Sequence, residues 1–519
     1  MNSSDYAKMP YVLNLNRVKR AYKGGALLDA WQGLDHCSDG NWSEEFLVST
    51  VEVSNEKKAA QEGLSTTTLP TGQTITLKDL IRKDPVAFLG QTYAPAQDVC
   101  VSARVGDTIV RHVLQCHPDT DFARRELGFP NGKAEAWYIL QTRQIDGRQP
   151  CLYVGFKPGV TREKWTELFN KQDIDGMLEC MHCIPVYQGH TYFVDAGMPH
   201  CLGPGSMFLE VHEPCDYTFR VEKNYLPDHV FSDYEMNYGL GNEKLMEVFH
   251  YDTYTEEEIL RKCVLQPAVL ASEPGARVES IVSYQQAKRF KVEKYTFTRP
   301  VKTRPFQGHQ IAITVQGDCV FCANGQEVFA PQGRGVFLPA DGGEVTLRPA
   351  REQETVVLVC SPPPAPFSPG EIFRDPIQVG VLVRDLDTCL EKLEKVFGMG
   401  PFRIADYPPA QTAPMRLYHG EGGDFQAKFC FFHLGNIELE LIQPLGGQSI
   451  WEDFLRKRGS GIHHLKFLVP EHSAVRAHMQ KNGYDVSQAG EGVGPNKHRI
   501  WAFYPTYDDI GFDVEVMND

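Results

Sequence analysis

The chain has 519 residues, of which 42% are hydrophobic and 23% charged, and a formal net charge of −15. That length exceeds one ordinary core and points to about three domains, while the composition is that of a globular protein rather than a disordered or fibrous one. The negative charge is spread along the chain and repels phosphate backbones, which argues against a nucleic-acid partner. No apolar run is long enough to span a bilayer. The opening MNSSDYAKMPYVLNLNRVKR has no apolar stretch behind its charges, so we expect a cytoplasmic protein with no membrane partner.

In chain order, the residues up to 360 form short strand-like runs such as YFVDAG, MFLEV, IAITV, GVFLP and ETVVLVC, separated by Gly and Pro turns. This spacing predicts jelly rolls or sandwiches. The main helical pattern, REKWTELFNKQDIDGMLECM, lies near 161–181, with Thr161 as N-cap and Trp165, Leu168 and Phe169 on its apolar face. A first domain is expected over 1–277 and a second, smaller β-rich one over 278–361. Four prolines between 362 and 366 remove backbone donors and hold the chain extended, so 362–370 reads as a linker. Over 371–519, strand PIQVGVLV leads into helix DLDTCLEKLEKVFG, and strand GIHHLKFLV leads into helix EHSAVRAHMQKNG. A β-then-α unit that occurs twice implies two similar modules packed side by side.

Fourteen cysteines are too sparse for a disulfide scaffold and read as reduced thiols. Cys180 with Cys183, and Cys319 with Cys322, have the spacing of half a zinc ribbon. Both pairs fall in strand-like runs where alternate residues face opposite sides, so neither is expected to bind metal.

Gln115 and His117, in VLQCHPD, stand two apart and share one face of a strand. Glu135 opens the run GKAEAWYIL, and His200, in DAGMPHCLG, follows a tight turn. Imidazole, carboxylate and amide oxygen form a mixed donor set suited to Zn²⁺ with a position open for water or substrate, the pattern of a catalytic site. The motifs WSEEFLVST, LQCHPD, GKAEAWYIL, YFVDAGMPHCLG and FLEVHEPCDYTFRV occur in that order. Together, over about residues 10–361, they resemble the class I mannose-6-phosphate isomerases in their shorter bacterial form. The resemblance implies two cupin domains, a zinc held by Gln115, His117, Glu135 and His200, an active-site arginine at Arg220, and Lys133 near the substrate. It also implies isomerisation of a sugar or sugar phosphate through a cis-enediol, whose oxygen charge a metal and a fixed guanidinium stabilise. Two positions depart from the family. Lys23 stands where tryptophan is usual, and Val113 where longer members carry a serine that helps hold the phosphate, which leaves the reaction type intact and puts the phosphate in question.

After the linker, Gln378 opens the first strand and His464 the equivalent strand of the repeat, while Glu440 (NIELELIQP) and Glu515 (GFDVEVMND) lie in apolar alternations. Burying two carboxylates there is costly without a compensating cation. This segment resembles the vicinal oxygen chelate superfamily, and IELELIQPLGGQSIWEDFLRKRGSGIHHLKFLV is most like methylmalonyl-CoA epimerase, whereas Gln378 is similar to glyoxalase I. The likeness implies a divalent metal (Mn²⁺, Co²⁺, Ni²⁺ or Zn²⁺) at Gln378, Glu440, His464 and Glu515, with Glu515 also a candidate base in an epimerase or lyase-like reaction of a carbonyl compound. Glu438, Asp513 and His463 are neighbours that could take over a ligand position. An iron oxygenase would use two histidines and one carboxylate, and a non-catalytic sugar-binding cupin has little need of the full quartet plus Arg220. The expected architecture is therefore mainly β: two cupin (jelly-roll) domains with a small helical segment, then an α+β domain of paired βαβββ modules.

Overall fold

The computed structural model describes residues 6–364, 373, 376–410, 412–434, 437–469, 472–493, 496 and 499–518. The chain divides into two compact units, the first ending at Pro364. Residues 365–370 of the expected linker lie outside the described residues.

The first unit contains two antiparallel β sandwiches. In one, a seven-stranded sheet includes Glu135–Thr142, Ser206–His212 and Ser102–Thr108 as neighbours, and a five-stranded sheet runs in the order Met181–Pro185, Cys151–Phe156, His200–Leu202, Gln115–Cys116, Phe219–Arg220. Alternation along these strands turns Ile139, Leu152, Val154, Val194, Leu202 and Phe208 into one buried cluster. The second sandwich pairs a seven-stranded with a four-stranded sheet around Tyr295, Phe297, Phe321, Leu347 and Val357. Its strands begin at Ala268, ahead of the boundary expected at 278, and its edge is the distant segment Tyr11–Val12, with Tyr11 in register with Phe337.

The helix expected near 161–181 is two helices, Arg162–Lys171 and Ile174–Glu179. Thr161 caps the first by accepting from the Lys164 amide. Gln172 then takes a left-handed conformation at φ 51°, and the Asp173 carboxylate starts a new helix by accepting from the Gly176 amide at 3.0 Å. Trp165 is buried edge-on against Phe156, with ring centroids 4.9 Å apart. Cys180 sits at the cap of the second helix rather than on a strand, and all fourteen cysteines are free thiols.

The second unit is built on a ten-stranded sheet whose four central strands are, in order, Ile437–Gly446, Gln378–Leu382, Gly461–Val469 and Asp513–Asn518. Within each repeat the two central strands are parallel, and the repeats meet antiparallel, with Gln378 opposite Lys466 and Gly380 opposite His464. Helices Leu386–Phe397 and His472–Lys481 follow the first strand of each repeat. Asp385 caps the former through the Thr388 amide, and Gly398 ends it at φ 66°. Strands Arg416–Tyr418 and Glu421–Gly422, from the first repeat, add to the outer edge of the second. Among the described residues no helix is long and apolar enough to cross a membrane.

The pair Gly24–Gly25 is set by close approach. A Cβ on Gly24 would stand 1.9 Å from the Asp107 carbonyl oxygen, and Gly25 has φ 117°. Here the Asp107 carboxylate accepts from the amides of Gly25 and Leu27 at 2.8 and 3.0 Å and pairs with Arg143 at 2.9 Å. Gly24→Ala must displace backbone, so it should lower stability by about 1–3 kcal/mol, the range for overpacking, read as a shift in the denaturant midpoint with unchanged slope.

Candidate metal centres

Gln115, His117, Glu135 and His200 come together in the first sandwich. Gln115 is in register with His200 on one side and Arg220 on the other, while Glu135 opens a strand of the other sheet. His117 Nε2 and His200 Nε2 lie 3.2 and 3.1 Å from the two oxygens of Glu135. Each imidazole commits its Nδ1–H to a backbone carbonyl, His117 to Tyr217 and His200 to Met198, both at 2.9 Å. The Nε2 lone pairs therefore face the carboxylate, an arrangement that repels unless a cation lies between. The Gln115 amide is 3.1 Å from His200 Nε2, and turning the amide over puts its oxygen there.

Fully buried Lys133 supplies one positive charge, with Nζ 2.7 Å from Glu135, 2.9 Å from Glu210 and 3.1 Å from His117 Nε2. Neither Glu135 oxygen receives a well-aligned hydrogen bond even so. Burial and the Lys133 charge push His117 down to about 4, leaving it neutral at neutral pH. Burial alone would raise Glu135, but the Lys133 ammonium holds it well below the usual carboxylate range. Two carboxylate oxygens without an aligned donor, beside the neutral His117 imidazole, fit a divalent cation.

Gln115 and Arg220 line a cavity of about 900 Å³ together with His112, Val113, Trp137 and Glu210. Arg220 donates to the carbonyls of Thr218 and Glu235 and lies over the Phe231 ring at 5.0 Å, which fixes the guanidinium in place. Val113 is an apolar part of the wall, and Lys23 pairs with Asp228, another lining residue. Glu210, which sequence reasoning passed over, is a buried carboxylate in the alternation MFLEV. That charge within an apolar strand was the available signal.

In the second unit Glu440, His464 and Glu515 converge, all buried, on three of the four central strands. His464 Nε2 is 3.2 Å from Glu440 Oε2 and 3.0 Å from Glu515 Oε2. Gly380 lies opposite both Glu440 and His464, and a Cβ there would be 1.8 Å from the imidazole, so only glycine lets the ring lie across the strand. Gln378, on the fourth central strand, donates to Glu438 and leaves its own buried oxygen without a partner, as are Glu515 Oε2 and His464 Nε2. His464 lies within its strand rather than at its start, as the sequence pattern had suggested.

Lys466, two residues beyond His464 and on the same face, was also missed. Its Nζ is 3.1 Å from Glu515 Oε1, which turns Oε2 toward His464. Burial would lower His464, but Glu515 and Glu440 raise it, so these carboxylates draw a cation or a proton to Nε2.

The sequence profile of the Glyoxalase/Bleomycin resistance protein/Dioxygenase superfamily matches residues 377–503. The chain is 27% identical over 237 residues to the probable mannose-6-phosphate isomerase GmuF of Bacillus subtilis, covering 45% of this chain and 67% of that one. The chain joins a mannose-6-phosphate isomerase-like body to a glyoxalase-type domain. In solved structures, the mannose 6-phosphate isomerase of Bacillus subtilis superposes on 68% of this chain and 99% of its own, with TM-score 0.52 and 18% identity. A zinc-bound mannose 6-phosphate isomerase covers 67% of this chain and 98% of its own, with TM-score 0.50 and 14% identity. These structural likenesses are of fold: a cupin-type body, as the family resemblance implied.

In the wall of the same cavity of the isomerase-like body, Asp216 anchors a buried network. One of its oxygens accepts from Arg20 and Arg104, each at 2.8 Å, and the other from the Ser54 amide at 2.8 Å; Arg104 also pairs with Glu44 and Glu210. Burial alone would raise Asp216, but Arg20 and Arg104 hold it far below the usual carboxylate range. A carboxyl whose folded pKa is depressed contributes stability above its unfolded value of about 3.9, lost as pH falls toward the folded one. Asp216→Asn leaves two buried guanidiniums short of a counter-charge and should cost about 3–5 kcal/mol near pH 7. As pH falls below about 4 the gap between wild type and variant should narrow progressively in denaturant melts, because the unfolded chain takes up a proton that the folded Asp216 still excludes.

Proposed function

We propose that the cupin body is a zinc-dependent aldose–ketose isomerase acting on mannose 6-phosphate or a related aldose, and that the glyoxalase-type domain is a metal-dependent epimerase or lyase-like enzyme for a carbonyl compound. The observation that carries the first reading is the pair of His Nε2 lone pairs facing an orphaned Glu135 carboxylate, one strand away from Arg220 and the cavity. Gln115, His117, Glu135 and His200 would hold the zinc, which when bound polarises the sugar's carbonyl and hydroxyl oxygens. Arg220, fixed by two carbonyls and a ring, would meet the negative oxygen of the cis-enediol. Lys133 would serve beside it, holding Glu135 and Glu210 in place and lending positive charge to the reacting oxygens. Val113 offers no hydrogen bond where the longer enzymes hold phosphate, which favours a free or otherwise modified sugar.

Replacing His117 or His200 by Ala should abolish isomerase activity and remove one metal equivalent while leaving the other. Arg220→Ala should lower kcat about 10²–10³-fold with a smaller change in KM. Activity on a panel of aldoses with and without 6-phosphate, read by NMR, tests the substrate. Full zinc and full turnover in both histidine variants would overturn the assignment.

In the glyoxalase-type domain, Gln378, Glu440, His464 and Glu515 would hold Mn²⁺, Co²⁺, Ni²⁺ or Zn²⁺, which when bound makes a C–H next to the substrate carbonyl acidic. Glu515 would take that proton and return it, giving an epimer or rearranged hydroxy-carbonyl product. In deuterated water the metal-loaded chain should exchange a proton α to the carbonyl of such a substrate, the cupin body's ketose product included, and Glu515→Gln should lose the exchange. Oxygen consumption with Fe²⁺ and no exchange would favour an oxygenase instead.

A further inference from the structure

We propose that His463 and Asp513 form a relay that holds His464 as its Nδ1–H tautomer, so that the Nε2 lone pair is turned to the metal. The inference rests on the metal reading of the glyoxalase-type domain and assigns roles to two residues outside the ligand set. His463 and His464 are consecutive at an irregularity of their strand, where Gly380 stands opposite His464 and Val381 opposite Ile462, and there the Nδ1 atoms of the two rings approach to 3.0 Å. Two ring nitrogens at that distance share one proton, so one imidazole donates and the other accepts.

The far side of His463 decides which. Its Nε2 lies 3.4 Å from Asp513 Oδ2, long for a hydrogen bond but close enough for the carboxylate to favour the N–H at that nitrogen. Asp513 is itself anchored by the Tyr507 amide, which donates to its other oxygen at 2.9 Å. His463 is buried, walled edge-on by Phe454 with centroids 5.0 Å apart, and a neutral imidazole carries a single N–H. With that proton on Nε2, Nδ1 of His463 is an acceptor and Nδ1 of His464 must donate to it. His464 Nε2 is then bare, 3.2 Å from Glu440 and 3.0 Å from Glu515. In the cupin body backbone carbonyls do this for His117 and His200 directly; at His464 a side-chain relay stands in their place.

The experiment is Co²⁺ binding to the full chain against a competing chelator, the C-terminal site being identified as the one lost in His464→Ala. His463→Leu should weaken that site about 10–100-fold, the usual effect of removing a partner behind a metal ligand, with the metal-free melting temperature little changed. Asparagine places an amide oxygen where Nδ1 stood and glutamine does not, so His463→Asn should recover most of the affinity and His463→Gln little. Asp513→Leu should fall on the weak side. Equal losses in the Asn and Gln variants, or wild-type affinity in His463→Leu, would overturn the relay alone. A wild-type chain that binds no Co²⁺ at His464 would overturn the metal reading and the relay with it.

Discussion

The constraint on which both centres depend is electrostatic. Each brings imidazole Nε2 and carboxylate oxygens to within 3.0 to 3.2 Å in buried surroundings. Unshared electron pairs at that distance, away from water, are tolerated only when positive charge lies among them. The ammoniums of Lys133 and Lys466 supply part of it, each bonded to the glutamate that also faces a histidine. Neither satisfies the whole cluster, as the orphaned atoms of Glu135, His464 and Glu515 show. The two folds share no topology and reach the same chemical solution.

What the folds have in common is a way of bringing distant residues together. In the cupin body, neighbouring strands set Gln115 between His200 and Arg220, so donor and guanidinium are fixed by register rather than by loops. In the glyoxalase-type domain the pseudo-symmetric meeting of two repeats puts the four candidate ligands on four adjacent strands. Rigid ladders hold such groups to a fraction of an ångström, which metal coordination requires. Gly380 marks how tight the fit is, since the ring of His464 occupies the space a side chain would take.

The candidate ligand residues were legible largely because many carry a local sign. Glu135, Glu440 and Glu515 are charges inside apolar alternations, Gln115 and His117 share a strand face, and the ordered motifs made the family resemblance. A cap was legible too, at Thr161. The break between Lys171 and Ile174 was not, because a left-handed glutamine followed by a capping aspartate also fits one continuous amphipathic helix.

The sequence by itself determined the β-rich body, the repeat after the prolines and the chemistry of the donors, since periodicity, turn residues and side-chain type are properties of neighbouring positions. Only the tertiary structure decided that Tyr11–Val12 completes a sheet whose other strands start at Ala268, that Arg416–Tyr418 crosses to the other repeat, and that Lys133, Lys466, Glu210 and Asp216 compensate the buried charge. Apart from Lys133 with Glu135, those pairings join residues tens to hundreds of positions apart. Their energy comes from ladder bonds and from charges meeting where water is excluded, and neither leaves a mark on the flanking residues.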